Sequence, residues 1–208
     1  YSANWAGAIV SEKTATYKEV TGTFVVPTPK EPSGASGAHR AAVWVGIDGT
    51  TCNSRIFQAG VDLNVDGSSV SYNAWYEWFP GPAGDFSGIT FKPGDTVTIT
   101  LAATSKTSGT AWIKNHRTGK RVSHKFSGQP SLCQYDAEWI VEDFSVNGSF
   151  TPFANFGNVT FTDATACTLA GKIVGPANAQ QMDLIQNNKV ITKVTTGAKS
   201  VSIVYTGQ

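Results

Sequence analysis

Apolar positions along this chain fall in short alternating runs of Thr, Val, Ile and aromatic residues, broken roughly every ten residues by Gly, Pro, Asn or Asp. That period-two pattern predicts strands over 3–10, 17–26, 41–48, 55–63, 70–79, 95–103, 109–117, 121–126, 137–144, 157–162, 189–195 and 200–205. So many strands with almost no helical periodicity predict an all-β fold of two stacked sheets. Residues 178–187 fit a helix and a strand about equally well. Pro27 to Arg40 and Pro80 to Gly88, rich in Pro and Gly, read as long loops and as candidate rims or flaps of a binding cleft. No repeat period is visible, and one domain spanning 1–208 is expected.

Because successive side chains on a strand point to opposite faces, the runs also assign faces. Ile56, Gln58, Gly60 and Asp62 share one face, with Phe57, Ala59, Val61 and Leu63 opposite as core. In the next run Asn73, Trp75, Glu77 and Phe79 stand together. In 137–144 Glu138, Ile140, Glu142 and Phe144 do the same. Polar groups among aromatics describe either an exposed sheet or the wall of a ligand cleft. Trp5, Trp44 and Asp48 have the same style of setting, but without the pairing order these faces cannot be superimposed.

Composition narrows the partners. In 208 residues only 15% are charged, and 16 Lys plus Arg against 15 Asp plus Glu give a net charge of +1 with no basic run. Nucleic acid and anionic membrane surfaces are therefore not expected partners. No apolar run approaches the roughly 18 to 20 residues that span a bilayer, so no membrane is expected either. The chain begins at Tyr1 without a Met or a leader, as a processed mature form or a trimmed one would, and a pro-segment is one candidate for what was removed. Three cysteines, at 52, 133 and 167, lack the close spacing of zinc or redox motifs. They suggest a secreted, extracellular protein with one bridge. Three pairings are open; Cys52–Cys133 is favoured because Cys167 lies in a different strand–turn neighbourhood. Asn147-Gly-Ser149 and Asn158-Val-Thr160 are sequons for glycosylation, meaningful only in a eukaryotic secretory pathway.

The familiar hydrolase motifs are missing: there is no G-x-S-x-G, no H-E-x-x-H and no Asp-Thr-Gly or Asp-Ser-Gly, and His39, His116 and His124 lie in polar, basic surroundings. No metal and no cofactor is called for. Asp62 to Gly67 imitates the start of a calcium loop, but Asn73 stands at its twelfth position, and a hairpin turn is the better reading. Carboxylate and amide chemistry remains. Glu77, Glu138 and Glu142 sit beside bulky aromatics, which suits acid or base work, and Gln58 lies in an apolar run where its amide needs partners.

These residues fall in blocks that resemble the glutamic peptidases, the eqolisin family of secreted acid endopeptidases. The blocks are Asn4-Trp5-Ala6-Gly7, Trp44 to Cys52, Ile56-Phe57-Gln58-Ala59-Gly60, Tyr72 to Trp78, Asp85 to Ile89 and Ala137 to Phe144, in order along essentially the whole chain. The resemblance implies a sandwich of two large, curved antiparallel sheets of concanavalin A-like, jelly-roll type with the cleft on a concave face. It implies Gln58 and Glu142 as the catalytic pair, with Glu142 as general base on water and Gln58 as oxyanion donor. It also implies a Cys52–Cys133 disulfide, and Trp5, Asp48, Asp62, Asn73, Trp75 and Glu77 around the pair. Protein or peptide substrates follow from it; a monomer is expected, though the sequence leaves the oligomeric state open. The chain departs from the familiar pattern with Asn73 in place of Asp and Phe79 in place of Tyr. Its isoelectric point of about 7.9 is high. Both point away from a very low pH optimum. Paired glutamates on an aromatic-rich sandwich also describe a glycoside hydrolase, and aromatics alone a carbohydrate-binding module. A retaining glycosidase needs two carboxylates, and Gln58 argues against one.

Overall fold

The computed structural model describes residues 1–146 and 148–207, so the Asn147 sequon lies outside the described residues. Asn158, the other acceptor, is exposed at the start of a strand. Two large antiparallel sheets form the fold. The first runs, in spatial order, Gln180–Met182, Trp5–Ser11, Asp136–Glu142, His39–Ile47, Ile56–Asp66, Ser69–Phe79 and Gly84–Asp85. The second runs Thr192–Gly197, Ser200–Tyr205, Asn158–Thr168, Tyr17–Val25, Thr96–Ser105, Ser108–Asn115 and Arg121–Phe126, with Ile173–Val174 added beside Asn158–Thr168.

The sheets stack because each strand carries one apolar face. Val43 and Val45, Phe57, Ala59 and Val61, and Trp139 and Val141 turn inward from the first sheet. They meet Val20, Phe24, Ile99, Leu101, Ile113 and Phe161 of the second in one buried cluster. Phe57 stacks on Trp78 at 4.6 Å. The two largest core side chains keep their polar ends satisfied: the Trp139 indole donates to the Thr21 carbonyl at 2.8 Å and Trp78 to that of Pro130 at 2.9 Å. The opposite face of the first sheet carries a smaller cluster of Ile9, Ala42, Trp44, Ile56, Trp75 and Ile140.

The expected strands are present, most with shifted ends, except that the run expected at 189–195 is split into Lys189–Val190, which pairs with Ile185–Gln186, and Thr192–Gly197 at the edge of the second sheet. The run expected at 157–162 continues to Thr168, through a register shift between Thr162 and Thr165 where Asp163 adopts a φ of 50°. The run expected at 137–144 stops at Glu142, because the Asp143 amide turns to the carbonyl of Asn4 instead of a sheet neighbour. The ambiguous 178–187 segment is extended: a 3-10 turn at Pro176–Asn178 precedes the strands Gln180–Met182 and Ile185–Gln186. Asp66 and Ser69 close a hairpin around Gly67, whose φ of 58° suits its lack of a Cβ.

Cys52 and Cys133 are joined across 81 residues. Closing such a loop stabilises the fold by about 4 to 5 kcal/mol in the chain-entropy model. Cys167 remains a free, half-buried thiol. Among the described residues no helix is long and apolar enough to cross a membrane.

Candidate active site

Strand register on the outer face of the first sheet brings the candidate residues together. Glu142 lies opposite Trp5 on one side and Ala42 on the other, and Ala42 lies opposite Asp62, which lies opposite Asn73. A parallel row sets Glu138 opposite Gly46, Gly46 opposite Gln58, and Gln58 opposite Glu77. Gly60, between these rows, keeps the floor open: a Cβ there would meet Trp44 and Trp75 carbons at 2.7 Å. The result is one cavity of about 950 Å³ whose wall includes Trp5, Gln58, Asp62, Asn73, Trp75, Glu77 and Glu142.

Each polar group in the cavity has a defined environment. Glu142 accepts the Trp44 indole N–H at 2.8 Å on Oε2 and the Asn4 amide at 3.2 Å on Oε1. The Trp5 indole N–H also favours the ionised carboxylate, though it makes no hydrogen bond of proper geometry. Burial nonetheless outweighs these donors and, with the negative charge of Glu77, pushes the Glu142 carboxyl up to about 7. Burial likewise raises Asp62 to about 7, with the charges of Asp85 and Glu142 adding to it and the Trp75 indole and Arg40 opposing. Gln58 gives one amide hydrogen to Glu77 Oε2 at 2.5 Å, while its buried Oε1 has no partner. Its second amide hydrogen is left for a ligand. Glu77 is raised by burial, against the pull of that same amide.

Two glutamate and aspartate positions belong elsewhere. Asp48 is fully buried and absent from the cavity wall. At a φ of 64° it accepts the backbone N–H groups of Gln134 at 2.9 Å and Tyr135 at 2.7 Å. Asp136 returns the pattern by accepting the Thr51 N–H at 2.7 Å, and Thr50 donates to Glu138 at 2.7 Å. These bonds lace the turn after His39–Ile47 to the strand that ends at Glu142, next to the disulfide. Asp48 is thus a positioning residue for that strand. Glu138 is completely buried, and burial raises its carboxyl well above the ordinary range. The acid and sulfur atoms of Asp48, Cys52 and Cys133 cluster, but the sulfurs are bonded to each other and the carboxylate is filled by backbone donors, so they are not a metal ligand set. His39, His116 and His124 do not line the cavity.

The residues that strand faces alone did not single out are Asn4, which with Trp44 holds Glu142, and Asp85, which shares the wall. Asn4 and Asp85 stand in blocks quoted above, but that Asn4 and Trp44 meet at Glu142 depends on which strands are neighbours, and period-two alternation does not contain that.

Buried carboxyls with raised values make stability depend on pH with a definite sign. Asp48, Asp62, Glu77, Glu138, Glu142 and Asp143 hold protons in the folded state that the unfolded chain has already released. Their contribution is complete below the ordinary carboxyl range and is lost as pH rises through about 6 for Asp143 and about 7 for Asp62 and Glu142. Asp95, held at about 2 by Arg117, has the opposite sign and matters only in stronger acid. Thermal melts should therefore give a Tm about 10 °C or more higher at pH 4 than at pH 7. A Tm that rises toward neutrality would contradict the buried, protonated carboxyls.

Fold and cavity together define a β-sandwich whose cleft sets the carboxyls of Asp62, Glu77, Asp85 and Glu142 and the amides of Asn53, Gln58 and Asn73 among aromatic walls. The Peptidase A4 family matches residues 3–205. Aspergillopepsin-2 of Aspergillus niger is 44% identical over 99% of this chain and 78% of its own length. Scytalido-glutamic peptidase, solved with a transition state analog inhibitor, is 40% identical over 98% of both chains with a TM-score of 0.87. SCP-B of the eqolisin family, solved with the tripeptide Ala-Ile-His, is 38% identical over 98% of both chains with a TM-score of 0.83. This chain belongs to the Peptidase A4 family, and it is a glutamic endopeptidase. None of these relatives favours the glycosidase or the binding-module reading.

Proposed function

We propose that the protein is a secreted endopeptidase of mildly acid media in which Glu142 is the general base and Gln58 the oxyanion donor. The observation that carries this is the shared cavity: a carboxyl raised by burial and an amide with a spare N–H line one wall. Water held against ionised Glu142 loses a proton to it while the oxygen attacks the scissile carbonyl carbon. The carbonyl oxygen takes up the negative charge, and the free amide hydrogen of Gln58 stabilises it. Collapse of the tetrahedral intermediate reforms the carbonyl and breaks the C–N bond, and Glu142 returns its proton to the leaving nitrogen. The relative solved with the tripeptide Ala-Ile-His supports a peptide in the cleft.

Protonation and stability set the working pH from opposite sides. With its carboxyl at about 7, Glu142 is ionised in about one molecule in ten at pH 6 and one in a hundred at pH 5. The base form thus grows with pH while the fold weakens, and the optimum lies between, above strongly acid conditions. Casein digestion at mildly acid pH tests the assignment. Cleavage should withstand pepstatin, chelators and serine-directed reagents, since the site has no paired catalytic aspartates, metal or serine nucleophile in its proposed chemistry. Strong inhibition by pepstatin would refute it.

A further inference from the structure

Asn158, Val159 and Thr160, one of the two sequons, open the strand Asn158–Thr168 of the second sheet. Val159 and Phe161 turn into the core, so Asn158, Thr160 and Thr162 stand on the outer face, on the far side of the sandwich from the cleft. Asn158 is exposed. Its Oδ1 accepts the hydroxyls of Thr160 at 3.4 Å and Ser202 at 3.3 Å, while among the described residues its Nδ2 donates to no protein acceptor. The amide is thus anchored by its oxygen, and Nδ2, the atom that an N-linked glycan modifies, is free. Beside it the strands part. The paired register of Tyr17–Val25 with Asn158–Thr168 ends at Thr23 and Thr162; Val25 then pairs with Thr96, and Thr160 with Ser202. The gap is a second cavity, of about 290 Å³, whose wall includes Val25, Thr96, Asn158, Thr160 and Thr162. Val25 is 54% exposed there, an apolar side chain among hydroxyls, and a sugar ring laid in the gap would take it out of water.

We infer that Asn158 carries an N-linked glycan whose first N-acetylglucosamine sits in this gap, with its acetyl methyl against Val25 and its hydroxyls among Thr96, Thr160 and Thr162. The inference rests on the secreted part of the proposed function and not on its catalytic part. Transfer precedes folding. Nδ2 forms a bond to the anomeric carbon of an oligosaccharide linked to a lipid diphosphate, as the bond from that carbon to the diphosphate oxygen breaks. The lipid diphosphate leaves with the bonding electrons, and Nδ2 gives one of its two protons to a base of the transferase. Folding then costs the modified nitrogen no hydrogen bond, because Nδ2 has none in the folded chain, and it brings the sugar to a wall of one methyl-bearing and several hydroxyl side chains.

The test begins with protein recovered from the culture medium of the organism that makes it. Peptide N-glycosidase in heavy-oxygen water converts only modified asparagines to labelled aspartates, and mass spectrometry of the peptides should find the label at Asn158 in most chains. Unlabelled Asn158 in secreted protein overturns the site while leaving secretion standing; a chain retained in the cells with Asn158 unmodified overturns both. Secreted from a yeast host, Thr160→Val should lose the glycan and Thr160→Ser should keep it. Thermal melts read the seat. Trimming the glycan to its first N-acetylglucosamine should leave Tm unchanged, and removing that sugar as well should lower Tm by about 3 °C. In Val25→Ser the second step should largely disappear. A Tm indifferent to the first sugar, or a drop that survives Val25→Ser, overturns the seat. Because the cleft opens on the other sheet, kcat/KM toward a peptide should stay constant through every trimming step, and a fall on trimming would contradict the placement. Absence of cleavage in every form overturns the peptidase reading instead and leaves the label at Asn158 as found.

Discussion

Replacing Glu142 by Gln should lower kcat by on the order of 10³ or more while the protein still folds. The substitution keeps the shape of the side chain and its carbonyl oxygen but removes the only form able to take a proton from water. The surroundings make the loss specific. The Trp44 and Asn4 donors are aimed at Glu142, and the strand that carries it is fixed by the Asp48 and Asp136 bonds and the disulfide, so the amide has no other pose to adopt. Stability should not fall as activity does, because the carboxyl is held partly protonated by burial and a neutral amide avoids that cost. Circular dichroism and a thermal melt separate loss of chemistry from loss of fold. In the parent enzyme kcat/KM should climb with pH through the acid limb set by Glu142. In Glu77→Gln that limb should move to lower pH, since a negative neighbour that favours the protonated form has gone. Retention of a tenth of the parent rate by Glu142→Gln would mean another base. Glu77 would be the group to test next, whereas Glu138, sealed from solvent and bound by Thr50, cannot reach a substrate.

Much of this site is legible before any coordinates because a strand has only two faces. Gln58, Asp62, Trp75 and Glu77 share the cavity wall as their spacing requires, and the inward partners Phe57, Ala59 and Val61 form the core. Alternation is silent about which strands are neighbours. The first strand pairs with Asp136–Glu142, so that Asn4 bonds a carboxylate 138 residues away. No local pattern contains that pairing, and the block resemblance alone brought Trp5 and Glu142 into one site. Asp48 shows the opposite failure. It ends an apolar strand beside a Gly-Thr turn, as a cleft residue would, yet its left-handed backbone and three backbone donors turn the carboxylate away from substrate. The strand Gly84–Asp85 is two residues long, too short for any period, and lies among prolines and glycines that read as loop. Its place on the cleft wall comes from pairing with Trp75 and Tyr76.

Gln58→Ala should lose on the order of 10² to 10³ in kcat if its amide is one oxyanion donor, the scale found when a single such donor is removed. Alanine also deletes the acceptor and frees Glu77, which is buried and bonded to this amide, so part of any loss could come from a rearranged neighbour. Gln58→Glu is the sharper probe. It preserves size and replaces the amide by a carboxyl set directly opposite Glu77 in the sheet and in the same cavity as Glu142. With this carboxyl added to those of Asp62, Glu77, Asp85 and Glu142 in one cavity, protons are shared and the macroscopic values spread upward. While protonated, the new carboxyl can still donate to the oxyanion; once ionised, it repels both the oxyanion and the catalytic base. Residual activity should therefore shift to lower pH than in the parent, opposite to the direction in which ionisation of Glu142 alone would move it. Gln58→Asn offers the complementary check: it retains the donor but withdraws it by one methylene, and it should lose kcat with little change in pH profile. An unchanged rate and unchanged profile in Gln58→Glu would show that the amide stabilises no charge in the transition state and that Gln58 serves only to hold Glu77.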